Sequence, residues 1–561
     1  MTSLISSAIW VRRGIAERYP KRYILDEKEL ERVALNSGNR LEQVKEDLLR
    51  AQLEEEDSVD VDDMIAGEEM DMDQPDDSGA SMNQKVDRVA DDLAEYNLEN
   101  YDKEKSKSSS MGAFSNIKGL QYYQEPDADP YVTLNDLAED EADERQELEI
   151  YSTDSLLITA KTEDDVSQLE VYIYDESEEN LYIHHDLLLP AMPLCLEWID
   201  FTPANTSCAN PTRKGNFVAV GTMDPDIEVW NLDLIDSLYP DAILGSSASN
   251  NSKYNSNAQQ DITKSCSKKK KEKKKSLNSK TIEVVETHHT SSILSLSHNK
   301  SVRNLLLSSS ADTTIKLWDL MATPNSASNF TAIRSFNIHQ DKVQSAQWNP
   351  KETSVVLSGG WDRLVKVWDS RCCSDGVEVL VNADVECLRW NLFQPHNFLV
   401  SLDNGLVQSY DSRFLPKFNS RSKKEKALWT LSAHESSVSA IDISPTIPGL
   451  LLTGGVDKIV KVWNIDEKDS NPSISMVVSR DLDVGKVFSV GFCPDSATIV
   501  AVAGSNAKLQ VWDLATNSGV RATFGDRLKR YADFDPEKHK NIGNDGVLGL
   551  ANDDETDEED D

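Results

Sequence analysis

The chain has 561 residues, a net charge of −39 at pH 7 and seven cysteines. Its length exceeds one compact domain, no apolar run approaches the roughly 18 residues that cross a membrane, and the N-terminus lacks the pattern of a secretory signal. An odd cysteine count, with Cys372 and Cys373 adjacent, gives neither a disulfide framework nor a zinc spacing. A reduced, cytosolic or nuclear protein without structural metal is expected.

Residues 1–25 interleave Ile9, Trp10, Val11, Ile15, Tyr19 and Tyr23 with Arg12, Arg13, Arg18, Lys21 and Arg22. This mixture of rings and cations reads as an anchor to RNA or to a partner protein, because bases stack on aromatic faces beside phosphate-binding cations. Residues 26–145 form an acidic arm. Asp26 and Glu29 resemble a helix start, and Leu41, Val44 and Leu48 share one helical face, which predicts an amphipathic helix within 27–55. Residues 51–79 hold thirteen acidic side chains and no Lys or Arg, so they bury too little apolar area to fold alone. The arm is expected to be extended, partly helical and mostly disordered.

From 146 to 525 a repeat takes over. Seven strand-like runs end in an aromatic residue followed by Asp or Asn: Tyr174, Trp230, Trp318, Trp368, Tyr410, Trp463 and Trp512. Six positions before each stands a polar residue: Gln168, Asp224, Asp312, Asp362, Asn404, Asp457 and Asn506. Five of the six spacings lie between 42 and 56 residues, near the roughly 40–45 of a four-stranded propeller blade, and the sixth is 88. Residues 237–280, rich in Ser, Asn and Lys, are an insertion that explains the 88, which keeps the count at seven.

Three repeats carry a further set: His289, Ser308, Asp312 and Trp318; His339, Ser358, Asp362 and Trp368; His434, Thr453, Asp457 and Trp463. A buried imidazole, carboxylate or indole N–H requires a partner, so each set is expected to satisfy itself in the core and to do no chemistry. These sets resemble the structural tetrads of WD-repeat propellers. The other repeats depart from the pattern, with Ala191, Ala383 or Asp483 in the His position and Tyr174 or Tyr410 in place of Trp.

Within the insertion, Lys268, Lys269, Lys270, Lys271, Lys273, Lys274 and Lys275 form a basic cluster that reads as a nuclear-import or nucleic-acid patch. Two more stretches join cations to rings. One holds Arg413, Lys417, Arg421, Lys423 and Lys424 with Phe414 and Phe418; the other holds Arg527, Lys529 and Arg530 with Tyr531. Both are candidate RNA or partner contacts, the second within a C-terminal extension at 526–550. The tail 551–561 carries eight carboxylates. Residues 151–250 hold 18 acidic against 3 basic side chains and 251–550 hold 32 against 38, so the first two blades should be acidic and the rest mildly basic.

The leader Trp10-Val11-Arg12-Arg13-Gly14, the acidic arm, Leu169–Tyr174, Asn180–Asp186 and Pro193–Trp198 together resemble the periodic tryptophan protein one family of WD-repeat proteins. Arg12 stands where that family often has Pro or Lys. The resemblance implies an all-β fold, a seven-bladed β-propeller with an acidic N-terminal arm and a short acidic C-terminal tail. It also implies a nuclear and nucleolar factor for the large (60S) ribosomal subunit, needed for precursor rRNA processing. Its partners would be pre-60S particles, with their precursor rRNA, ribosomal proteins and other assembly factors, and it would act as a monomer within that assembly. No catalytic residue, cofactor, metal, small-molecule substrate or membrane partner is expected, because phosphate-loop and nucleophile-elbow motifs are missing. Two other readings are a histone-binding propeller and a cullin-ligase substrate receptor, the latter from Trp368-Asp369-Ser370-Arg371.

Overall fold

The computed structural model describes residues 3–23, 145–146, 148–204, 214–245, 285–322, 329–418, 420, 425–466, 472–531 and 546–550. The expected helix within 27–55, the lysine cluster, Arg421, Lys423, Lys424 and the acidic tail lie outside these residues.

Blade three shows how the repeat folds. Its strands Ile293–His298, Leu305–Ser310, Ile315–Asp319 and Arg334–Phe336 pair antiparallel in that order. Register sets Leu306 opposite Trp318 and Leu307 opposite Leu317. Side chains alternate faces along a strand, so Leu306 and Trp318 enter the cluster shared with blade two, while Leu307 and Leu317 enter the one shared with blade four. Both sheet faces are therefore buried, polar side chains included, with Ser308, Ser309 and Lys316 fully covered. The tight turn between the second and third strands needs a left-handed residue, supplied by Thr313, Arg363, Lys458, Gly405 and Ala507 in blades three to seven. In blades three, four and six the preceding Asp accepts the N–H two residues on, at 2.9 Å for Asp312–Thr314. Asn404 does the same in blade five. In these four blades the polar residue six before the aromatic is thus a turn-holding side chain.

Seven such sheets form the propeller. Blade two is Pro193–Phe201, Lys214–Thr222, Ile227–Asn231 and Ala242–Leu244, with Asn329–Phe330 added parallel at its edge. Blade four is Ser345–Trp348, Val355–Gly359, Leu364–Asp369 and Cys372–Leu380; blade five is Val385–Trp390, Asn397–Leu402, Leu406–Asp411 and Trp429–Ser432. Blade six is Ala440–Ile443, Leu450–Gly454, Ile459–Asp466 and Ser473–Asp481; blade seven is Val487–Phe492, Ile499–Gly504, Leu509–Asp513 and Val547–Gly549.

Blade one corrects the reading of the leader. Its four strands are Ser3–Val11, Ser155–Glu163, Val166–Asp175 and Asn180–Leu189. The first strands of successive blades touch in a closed ring, and Ser3–Val11 is the member that joins blade seven to blade two. Ser489 Oγ accepts from Ala8 N at 3.1 Å, and Trp10 Nε1 donates to Gly491 O at 3.1 Å. Similar ties join other first strands, such as Trp348 N to Ser297 Oγ and Phe492 N to Asp442 Oδ2. Residues 3–11 of the leader are therefore a blade strand and not an anchor separate from the propeller. Ile5, Trp10 and Val11 are buried because they fill the same inner positions as their counterparts in the other blades.

Three boundaries also move. The span 237–280 begins with blade two's outer strand, since Ala242 and Leu244 are fully buried. The span 526–550 ends in blade seven's outer strand, where Val547 pairs with Trp512. The propeller's expected end at 525 falls inside a helix over Ser518–Tyr531: Val520, Phe524 and Leu528 recur at helical spacing and pack between blades six and seven.

Candidate interaction surfaces and buried polar networks

In blade three His289 Nδ1 donates to Asp312 Oδ2 at 2.9 Å, its Nε2 accepts from Ser308 Oγ at 2.7 Å, and Trp318 Nε1 donates to Ser308 Oγ at 2.8 Å. This direction of donation follows from the carboxylate being acceptor-only and the indole donor-only. Blade four repeats it with His339–Asp362 at 2.9 Å, His339–Ser358 at 2.9 Å and Trp368–Ser358 at 3.1 Å. Blade six does so with His434–Asp457 at 2.9 Å, His434–Thr453 at 2.8 Å and Trp463–Thr453 at 2.9 Å. Every donor and acceptor is used internally, leaving none aimed at a substrate.

Three of the four remaining blades solve the same problem differently. In blade one Tyr172, two residues before the repeat's Tyr174, donates its OH to Glu170 at 2.6 Å; in blades two and five Trp230 Nε1 donates to Glu228 at 3.0 Å and Tyr410 OH to Gln408 at 3.0 Å. The partner stands two residues earlier on the same strand, which places it on the same face. Sequence reasoning missed this, although the spacing was visible. In the tetrad blades that position holds Lys316, Lys366 and Lys461, whose ammonium groups donate to the carbonyls of Val285, Ile338 and Ala433. In blade seven Trp512 Nε1 has no partner, and Asp483, standing where His would, lies outside paired to Lys508 at 2.8 Å.

Burial holds the imidazoles of His289, His339 and His434 below their ordinary pKa, against the pull of their Asp partners. For Asp312 and Asp362 burial alone would raise the pKa, but the hydrogen bond and charge of His289 or His339 prevail, and both are lowered. The signs agree. Below about pH 6.5 an unfolded His takes a proton that the buried one refuses, and below about pH 3.9 an unfolded Asp does likewise, so each tetrad loses stability on acidification. Glu228 and Glu386, raised to about 7 mainly by burial, and Asp233 and Asp241, raised to about 6, act in the opposite sense. The test is therefore differential. The stability gap between the natural chain and His289→Gln is expected to narrow as pH falls from 7 to 5, by at most about 1.4 kcal/mol per pH unit, as measured by urea unfolding. A gap that widens on acidification contradicts the assignment.

The candidate contact residues do not converge on one site. Trp10 is buried in blade one. Arg13 is held by Ser155, Glu176 and Asp495, and Arg18 by Glu149. Lys21 and Arg22 form a short parallel pairing with Leu234–Ile235, in the connection between blade two's third and outer strands, their side chains exposed, as is that of Arg12. Arg413 clasps Asp411 at 2.6 Å, and Lys417 bridges to Val377 of blade four. Arg527 donates to Pro448 O and Asn464 Oδ1, while Lys529 and Arg530 are exposed on the last helical turn. The Trp368-Asp369-Ser370-Arg371 stretch is a turn clasp too: Arg371 closes on Asp369 at 2.6 Å, as Arg413 closes on Asp411. Among the described residues no group of His, Cys, Asp and Glu could hold a metal ion, and no helix is long and apolar enough to cross a membrane.

The family model described as WD domain, G-beta repeat matches residues 279–319, 330–369 and 425–464, which are the three blades with complete tetrads. An uncharacterized WD repeat-containing protein of Schizosaccharomyces pombe is 39% identical over 94% of this chain and 92% of its own length. Periodic tryptophan protein 1 of Saccharomyces cerevisiae is 34% identical over 96% of this chain and 93% of its own. The Periodic tryptophan protein 1 homolog of Drosophila melanogaster is 26% identical over 93% of this chain and 96% of its own.

Proposed function

The chain belongs to the periodic tryptophan protein 1 family, and on that premise we propose that it is a non-catalytic scaffold in ribosome biogenesis. It acts in the nucleolus on precursors of the large (60S) subunit and supports precursor rRNA processing. The observation that carries this reading is similarity over nearly the whole length of both chains, arm and propeller together, and not over the repeats alone. The structure supports a scaffold. Its His, Asp and Trp tetrads are spent on each other, and its buried ring is held by hydrogen bonds between first strands. Lys268–Lys275 serves as the nuclear address, and the exposed cations Lys529 and Arg530 face precursor rRNA. The protein acts as one copy among ribosomal proteins and other assembly factors, which its acidic surfaces hold.

Ultraviolet crosslinking in cells, with sequencing of the attached RNA and sucrose-gradient sedimentation, tests this. Cosedimentation with large-subunit precursors and crosslinks to precursor rRNA are expected. Migration as a small free complex without RNA overturns it, enrichment on nucleosomes would favour histone binding, and copurified cullin would favour the ligase reading.

A further inference from the structure

The outer strand of blade one, Asn180–Leu189, is ten residues long and pairs on one side alone. Among the described residues no backbone–backbone hydrogen bond reaches its outer edge, and its side chains bond through His184, with Leu148 O at 3.2 Å and with His185 Nδ1 at 2.7 Å. Other blades close this edge. Blade two adds Asn329–Phe330. In blade four Pro416 and Phe418 bond to Glu378 and Gly376 of the outer strand. The outer strands of blades three, five and seven span only three or four residues. Blade six's Ser473–Asp481 is nine residues long and exposes Met476, but it packs against the helix over Ser518–Tyr531 and carries Arg480 and Asp481, the kind of side chain that keeps an edge from pairing. Asn180–Leu189 instead exposes Tyr182, Ile183 and Leu188, the last by 58%.

Charge selects the occupant. Glu178 and Glu179 stand exposed in the turn that begins the strand. Asp164 and Asp165 are exposed in the turn at its far end, where Ser167 pairs with Leu189. Asp186 lies between. A second copy of the same edge, pairing antiparallel, would set one acidic turn against the other. We infer that this edge captures an extended, lysine- or arginine-rich segment of a partner protein, which adds a fifth strand to blade one. Backbone groups supply the pairing, the apolar side chains pack across it, and the two acidic turns, about 30 Å apart at the usual strand rise, receive its cations. The inference holds whether or not the ribosomal reading does.

The probe is a synthetic ten-residue peptide alternating Lys and Val, added to the full chain at physiological salt. Amide hydrogen exchange within residues 180–189 is expected to slow. A Lys/Gly peptide of equal charge should leave these amides unprotected, because it lacks strand propensity. The double variant Ile183→Lys, Leu188→Lys, at exposed positions and with unchanged melting temperature, should bind the Lys/Val peptide roughly tenfold more weakly, from lost cross-strand contacts and like-charge encounters. Protection that falls elsewhere, is equal with Lys/Gly, or survives the double variant overturns the proposal. So does sedimentation that shows the edge closed by a second copy.

Discussion

Removing residues 1–23 is expected to open the propeller, with loss of cooperative melting or a fall of more than about ten degrees in melting temperature. The deletion takes away the first strand of blade one, whose register runs from Ser3 opposite Glu163 to Val11 opposite Leu156. Ile5 and Val11 are fully buried and Trp10 is 7% exposed. Burial of an Ile or Val side chain contributes about 1.5–3 kcal/mol, and truncation of a core Trp costs roughly 3–5 kcal/mol. Together these rival the whole stability of a typical domain, about 5–15 kcal/mol. The deletion also exposes Leu157 and Tyr172, which share the strand's cluster, and removes the ties to Ser489 and Gly491 that close the ring. Near-UV circular dichroism during thermal unfolding measures the effect. A peptide of residues 1–23 added in trans should restore the transition, which distinguishes strand loss from loss of a partner anchor. A truncated chain that melts within about two degrees of the full one contradicts this account of the strand.

The repeats were legible because two physical demands leave marks at fixed spacing. Strands buried on both faces need apolar runs that end in a large aromatic, and in four blades the tight turn is held by an Asp or Asn six residues earlier. Tetrads were legible for the same reason: an imidazole inside a propeller survives only with its partners. The leader was not, because its cations drew attention from its inner strand and its pairing partner lies more than 140 residues on. A signal was present. The first strands of three other blades contain an apolar residue, any residue, then Trp, as Leu196-Glu197-Trp198, Ala346-Gln347-Trp348 and Leu388-Arg389-Trp390, and Ala8-Ile9-Trp10 reads the same way. The substitute networks were missed because the search looked for His and Asp at distant positions, whereas Glu170, Glu228 and Gln408 act from two residues away on the same strand. The uncovered edge of Asn180–Leu189 had no sequence mark, since edge coverage depends on which distant segments return beside a strand.

Asp312→Ala is expected to destabilise the chain by roughly 3 kcal/mol or more, since each buried donor left without its acceptor costs about 1–3 kcal/mol. The carboxylate accepts from His289 Nδ1 and from the N–H groups of Thr290 and Thr314. With the Thr314 hydroxyl at 2.6 Å its loss strands four donors, and the His289 ring, fully buried, loses the partner that fixes its tautomer and so its grip on Ser308 and Trp318. Asp312→Asn should cost less, because an amide oxygen still accepts from the turn while the charge is gone. The control is Asp483→Ala. Asp483 stands at the His position of blade seven, but its side chain is exposed and paired to Lys508 across the surface, so its removal should leave the melting temperature unchanged. Urea unfolding of the three variants beside the natural chain decides it. If Asp312→Ala and Asp483→Ala unfold at the same urea concentration, the polar networks do not stabilise the blades that hold them. If the order is Asp312→Ala, Asp312→Asn, then Asp483→Ala with the natural chain, the blade carries a cooperative buried network whose work is holding the ring and not catalysis.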